Sequence, residues 1–131
     1  MILIFDVYGV AYVGAGINKG LLEPVQKLRH QGVKVYFGSN MATTQKVMFW
    51  NVLGLKNFGD EIYCSGDLKV AKPEPAFYSR VAEAIGVTGD SILFFDDSPS
   101  NVEAAQRAGW HAYLYTDVAT TLQLIETYNG I

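Results

Sequence analysis

Hydrophobic positions fall in short unbroken runs separated by stretches of helical period. Ile2, Leu3, Ile4 and Phe5 run without a polar break into Asp6. A short apolar run closed by a turn signal reads as a strand buried on both faces, the kind found at the centre of a parallel sheet. Residues 33–37, 61–64, 92–95 and 111–115 repeat this design. Between them the spacing of apolar residues predicts helices. One covers residues 21–31 through Leu21, Leu22, Val25 and Leu28, with Pro24 in the first turn, where its missing amide is tolerated. Another runs from Thr43 or Thr44 to about Leu53. A third, opened by Lys72-Pro73-Glu74-Pro75, carries Phe77, Val81, Ala84 and Ile85. A fourth starts at Ser98-Pro99, carries Val102, Ala105 and Ala108, and closes at Gly109. The last begins at Thr116 or Asp117 and runs to about Tyr128. Residues 7–20 hold four glycines and no clean period, which reads as a loop or a small hairpin.

The helix from Thr43 is unusual. Val47, Met48, Phe49 and Trp50 are consecutive, so they cannot all face one core. Either the helix is wrapped on several sides, or Phe49 or Trp50 faces the functional site or a partner.

Five strands alternating with helices predict an α/β fold, a doubly wound five-stranded parallel sheet with right-handed crossovers. The chain has 131 residues, no internal repeat and no low-complexity linker, so one domain over 1–131 is expected. A net charge of −3 and scattered Lys and Arg leave no basic stripe for nucleic acid. No apolar run approaches the ~20 residues a membrane span needs, and no signal segment is evident. Cys64 is the single cysteine, which excludes an intrachain disulfide and suits a reducing compartment. These features predict a cytoplasmic protein with neither nucleic-acid nor membrane partners.

The candidate chemistry lies where the strands end. Open α/β sheets bind ligands beyond the carboxyl ends of their strands, and Asp6 stands at such an end. Gly9 then lets the chain turn sharply away. Ile92–Phe95 delivers Asp96 and Asp97 to the same edge, and paired carboxylates from two buried strands suggest a metal site. Ser39 and Asn40 follow the second strand, although either could simply cap the next helix. Lys72 precedes Pro73 and is held extended by it. Two glycine-rich phosphate cradles fail on their residues: Lys19 stands where the third glycine of a dinucleotide fingerprint belongs, and Ala15 where a P-loop needs its Lys. Cys64 reads as an inert small hydrophobe, and His30 and His111 as structural.

Together these residues carry a resemblance. Phe5-Asp6-Val7-Tyr8-Gly9-Val10, Gly38-Ser39-Asn40, Lys72-Pro73-Glu74-Pro75 and Phe94-Phe95-Asp96-Asp97-Ser98-Pro99-Ser100-Asn101 resemble, in order, the four motifs of the haloacid dehalogenase-like hydrolase superfamily. The resemblance covers essentially the whole chain and implies a sheet with the third, second, first, fourth and fifth strands side by side. It implies Asp6 as nucleophile, Ser39, Asn40 and Lys72 as substrate-binding residues, with Ser39 and Lys72 holding phosphoryl oxygens and Lys72 neutralising charge. It implies Mg²⁺ on Asp6, Asp97 and the Tyr8 carbonyl, with Asp96 ligating or just outside. Hard oxygens suit that ion. The expected partner is a phosphorylated small molecule or macromolecule.

Two departures change the expectation. Phosphatases of the superfamily carry an acid/base Asp two residues after the nucleophile, where this chain has Tyr8. A phenol titrates near 10 and is a poor base at neutral pH. Asp-x-Tyr-Gly resembles the metal-independent dehalogenase branch, but that branch uses an Arg after the first motif, and the only Arg from Tyr8 to Phe37, Arg29, lies inside the first predicted helix. The intervals between motifs also leave no room for a cap domain. Three readings follow: an Mg²⁺-dependent phosphohydrolase acting through an aspartyl phosphate on Asp6, a catalytically silent phosphate- or partner-binding domain, and, less favoured, a dehalogenase. The absent cap and the run from Val47 to Trp50 predict a homo-oligomer that uses that helix.

Overall fold

The computed structural model describes residues 1–128. The first apolar run forms strand β1, Ile2–Phe5, in which Leu3, Ile4 and Phe5 are fully buried. Burial on both faces follows from its neighbours. On one side it pairs in parallel with β4, Val35–Ser39, placing Leu3 opposite Val35 and Phe5 opposite Phe37. On the other it pairs in parallel with β6, Ile92–Asp96, placing Phe5 opposite Phe95. Beyond these lie β5, Glu61–Cys64, and β7, His111–Leu114, completing the order β5-β4-β1-β6-β7. This is the order the resemblance implies. Residues 7–20 hold a small antiparallel hairpin, β2 (Tyr12–Val13) with β3 (Gly16–Ile17), turned at Gly14-Ala15.

Strand side chains alternate between faces, so each face has its own core. Leu3, Phe5, Phe37 and Phe95 pack with Leu21, Leu22 and Val25 of α1, Lys19–His30, and Ile125 of α6, Val118–Tyr128. Ile4, Ile92 and Phe94 pack on the opposite face with α4, Pro75–Ile85, and α5, Pro99–Arg107. Helices on both faces of a parallel sheet make the doubly wound α/β architecture expected. None of the described helices is long and apolar enough to cross a membrane.

Several boundaries differ from expectation, each for a local reason. Helix α1 starts two residues early, so Pro24 stands in its second turn. Strand β4 begins at Val35 instead of residue 33. The Val33 amide is still bonded to the Leu28 carbonyl at the end of α1, at 3.1 Å. Ser39 and Asp96 are the last residues of their strands and not the first of loops. In α4, Ala84 is exposed, and Tyr78 takes the core position with its hydroxyl donating to the Asn101 carbonyl at 3.0 Å. In α5, Ala104 is buried and Ala108 lies beyond the helix end, exposed. A short helix α3, Ser65–Leu68, was not foreseen.

The apolar run after Thr43 divides. Helix α2, Thr43–Val47, passes into a π turn over Met48–Val52. Phe49 enters the core at 2% exposure and Trp50 is half-buried, while Val47, Met48 and Val52 stay exposed. Consecutive positions of a helical turn point in different directions, so Phe49 faces inward while Met48 and Val47 meet solvent.

Asp60 ties the edge of the sheet to α1. Its Oδ2 accepts from the Val35 amide at 2.9 Å, and Oδ1 accepts from Arg29 Nη2 at 3.0 Å. Burial pushes this carboxyl up, but the Val35 amide and Arg29 outweigh it and hold it below the usual range. A carboxyl held low stabilises the fold above its unfolded pKa, and the contribution is lost as the pH falls. Asp60→Ala should therefore cost about 2 kcal/mol in urea unfolding at pH 7 and progressively less below about pH 4. An equal deficit at pH 7 and pH 3 would contradict this.

Candidate active site

The polar residues converge at the carboxyl ends of β4, β1 and β6. Asp6 follows β1 directly, its amide donating to the Phe95 carbonyl at 2.9 Å. The chain then reverses through Gly9 at φ +86°. A Cβ at Gly9 would fall 2.1 Å from Asp97 Oδ2, so the glycine is required both by conformation and by close approach. Asp97 is exposed, Asp6 is nearly buried, and Asp96 is wholly buried. Their carboxylates each offer an oxygen within 4.8 Å of the others.

One cation reaches two of them. Lys72, on the segment between α3 and α4, points Nζ at Asp6 Oδ1 (2.9 Å), Asp96 Oδ2 (2.7 Å) and the Gly38 carbonyl (2.8 Å). An ammonium has three protons, and all are used. Asn40 fixes the Lys72 backbone: its Oδ1 accepts from the Lys72 amide at 2.8 Å, and its Nδ2 donates to the Lys72 carbonyl at 2.9 Å. Asp96 is further held by the Ser98 amide on Oδ1 (2.9 Å) and Asn101 Nδ2 on Oδ2 (3.2 Å).

The charges do not balance. Three carboxylates face one ammonium. Burial above all, with Asp96 adding to it and Lys72 opposing it, pushes the Asp6 carboxyl up to about 7. Ser39 Oγ is buried and has no hydrogen-bond partner among the described residues. An unsatisfied buried hydroxyl costs about 1–3 kcal/mol, which a ligand oxygen would relieve.

These residues line one cleft of about 280 Å³ together with Tyr8 and Asn101. All seven residues singled out from the sequence (Asp6, Tyr8, Ser39, Asn40, Lys72, Asp96 and Asp97) border it. Asn101 was not among them, although it ends the fourth motif and its position in the first turn of α5 points it back at the strand end. Tyr8 is 42% exposed and its ring meets Phe49 edge-on at 5.2 Å. Arg29 is paired with Asp60 and does not line the cleft. Larger hollows along α6 (about 450 Å³) and between α4 and Trp110 (about 490 Å³) are lined by neither a carboxylate cluster nor Cys64 or a His. Cys64 is buried, and burial raises its thiol above the usual range, as an inert core cysteine requires.

A family model for haloacid dehalogenase-like hydrolases matches residues 1–109. The chain belongs to this family. Over 91 residues it is 35% identical to a phosphatase of Mycobacterium tuberculosis (strain CDC 1551 / Oshkosh), a match covering 69% of this chain and 42% of that protein. The chain thus spans about two-fifths of the length of this relative. A crystal structure of a protein from Corynebacterium glutamicum superposes with a TM-score of 0.86 at 25% identity, covering 99% of this chain and 95% of that one. A haloacid dehalogenase family enzyme of Bacteroides thetaiotaomicron, solved in complex with magnesium and inorganic phosphate, superposes with a TM-score of 0.67 at 29% identity, covering 78% and 54%. The family's sheet order and the four motif segments are both present in this haloacid dehalogenase-like hydrolase.

Removing the ammonium would strand two carboxylates, one of them fully buried. Breaking a buried pair from one side costs about 3–5 kcal/mol. Lys72→Met should lose that much in urea denaturation at pH 7. A midpoint unchanged from wild type would show that the Asp6–Lys72–Asp96 contact carries no stability.

Proposed function

We propose that this protein is an Mg²⁺-dependent phosphohydrolase without a cap domain, in which Asp6 is the nucleophile. The excess of carboxylate at the strand ends carries the reading: a buried Asp6 pushed towards neutrality, beside Asp96 and Asp97 with one ammonium among them, is a site short of positive charge. The donors fit the ion. Asp6, the exposed Asp97 and the Tyr8 carbonyl supply hard oxygens, whereas the oxygens of Asp96 are already engaged by Lys72, Ser98 and Asn101, which supports a position for it just outside the ligands. Bound there, Mg²⁺ offsets the charge that sets a phosphate ester against an attacking carboxylate.

The chain's own groups do the rest. Ser39, whose hydroxyl has no partner among the described residues, donates to a phosphoryl oxygen. Lys72, fixed through Asn40, orients Asp6 and faces the same charge. Asp6 attacks phosphorus, the ester P–O bond breaks with its electron pair leaving on the alcohol oxygen, and water then cleaves the aspartyl phosphate. Arg29 is engaged by Asp60 away from the cleft, which counts against the dehalogenase reading. The observation that favours a second reading, a silent phosphate-binding domain, is Tyr8 itself, because no carboxylic acid stands at that position to move the proton. Phosphate release from a panel of phosphomonoesters, with Mg²⁺ and with a chelator, separates the two: metal-dependent turnover supports the enzyme, and phosphate binding without turnover supports the silent domain.

Mg²⁺ binding should be detectable by calorimetry and weakened at least about tenfold in Asp97→Ala, since a hard-cation site loses a charged ligand. Equal affinity in both proteins would remove Asp97 from the site.

Tyr8→Asp should raise kcat towards an aryl phosphate by at least about tenfold at neutral pH, within the range general acid–base catalysis supplies. The exposed position makes the exchange compatible with folding. A folded, Mg²⁺-binding Tyr8→Asp protein that is no faster would place the limiting step elsewhere.

A further inference from the structure

The cleft is polar at its floor and aromatic at its rim. Asp6, Ser39, Lys72 and Asp97 line it together with Tyr8, a residue 42% exposed. Its ring is not free to swing. Phe49 meets it edge-on with centroids 5.2 Å apart and planes at 87°, and meets Tyr12 the same way at 5.2 Å and 88°. Phe49, within the π turn, is 2% exposed, and a backbone bridge joins Tyr8 to Tyr12. The residues next in sequence to these props, Met48 and Val13, are 43% and 40% exposed, so the apolar character continues outwards. An aromatic side chain packed edge-on from within and partly exposed, beside a cleft of about 280 Å³, is half of an aromatic pair.

We infer that Tyr8, positioned by Phe49, forms the subsite for the alcohol part of the substrate, and that the substrate class is a phosphomonoester of an aromatic alcohol. This rests on the phosphohydrolase reading for the anchoring of the phosphoryl group at the floor. Tyr8 lies two residues from the nucleophile, so a ring joined directly to the ester oxygen comes within reach of it. An aromatic body there gains ring-to-ring contact that an aliphatic body of equal size does not. The chemistry agrees with the geometry. When the ester P–O bond breaks, the electron pair stays on the leaving oxygen. An aryl oxide accommodates that charge better than an alkoxide and takes its proton from water afterwards, which suits a site with a phenol where a carboxylic acid could have stood.

The test uses non-hydrolysable probes, so binding is read without turnover. Calorimetry in the presence of Mg²⁺ compares benzylphosphonate, cyclohexylmethylphosphonate and methylphosphonate. Wild type should bind benzylphosphonate about fivefold or more tightly than methylphosphonate, and more tightly than the cyclohexyl compound. Tyr8→Phe keeps the ring and should keep that order. Tyr8→Leu should bring benzylphosphonate down to the cyclohexyl level relative to methylphosphonate. Equal affinity for benzyl and methyl probes in wild type, or a preference that survives Tyr8→Leu, overturns the subsite while leaving phosphate binding intact. Failure of all three probes and of inorganic phosphate to bind overturns the phosphohydrolase reading and the subsite together.

Discussion

Asp6 and Asp96 end neighbouring strands side by side, and a single ammonium is what makes that proximity tolerable. Lys72 Nζ bonds both carboxylates and the Gly38 carbonyl, so three strand ends and the segment before α4 meet on one nitrogen. The choice of lysine is physical. Three acceptors arranged around a point need three donors that radiate from it, which an ammonium has and a planar guanidinium lacks. The contact is buried at 2% exposure of the lysine side chain, so solvent screens it little. Asn40 then holds the lysine's backbone from both sides, and Asn101 and the Ser98 amide hold Asp96. Each bond in this network fixes a group that another bond depends on.

What the network leaves over is as informative as what it joins. Asp97 lies outside it, exposed, with Gly9 drawn so close that no side chain fits between them. Ser39 Oγ lies beside it with no partner of its own among the described residues. One surplus of negative charge and one idle hydroxyl border the same 280 Å³ cleft. A cation and an oxyanion together would answer both, and neither alone would.

Much of this could be read from the chain before its shape was known. Ile2–Phe5 and Ile92–Phe95 are continuous apolar runs, and only a strand covered on both faces uses such a run, so the centre of the sheet and the placement of Asp6, Asp96 and Asp97 followed directly. The four motif segments located the cleft. The misplacements trace to partners distant in sequence. Strand β4 begins where Asp60, 25 residues on, meets the Val35 amide. The helix after Thr43 turns to π geometry where Phe49 is drawn between Tyr8 and Tyr12. Tyr78 entered the core because the Asn101 carbonyl was there to take its hydroxyl. Periodicity carries no information about any of these. The same holds for Lys72, whose three protons are committed to the protein itself, a fact of distances that residue type alone does not reveal.

The small hairpin after Asp6 carries a consequence for how such a domain can acquire new parts. Val13, Gly14 and Ala15 at its tip are exposed, and a Cβ at Gly14 would meet nothing within 4 Å. Tyr12 at its base bridges to Tyr8, which lines the cleft. Because paired strands hold the ends of this turn close together, a long segment spliced at Gly14-Ala15 would leave and re-enter the chain at nearly the same point, at little cost in loop closure. The hairpin is therefore a socket: a place where a lid can be grafted over the cleft without disturbing a single strand of the main sheet.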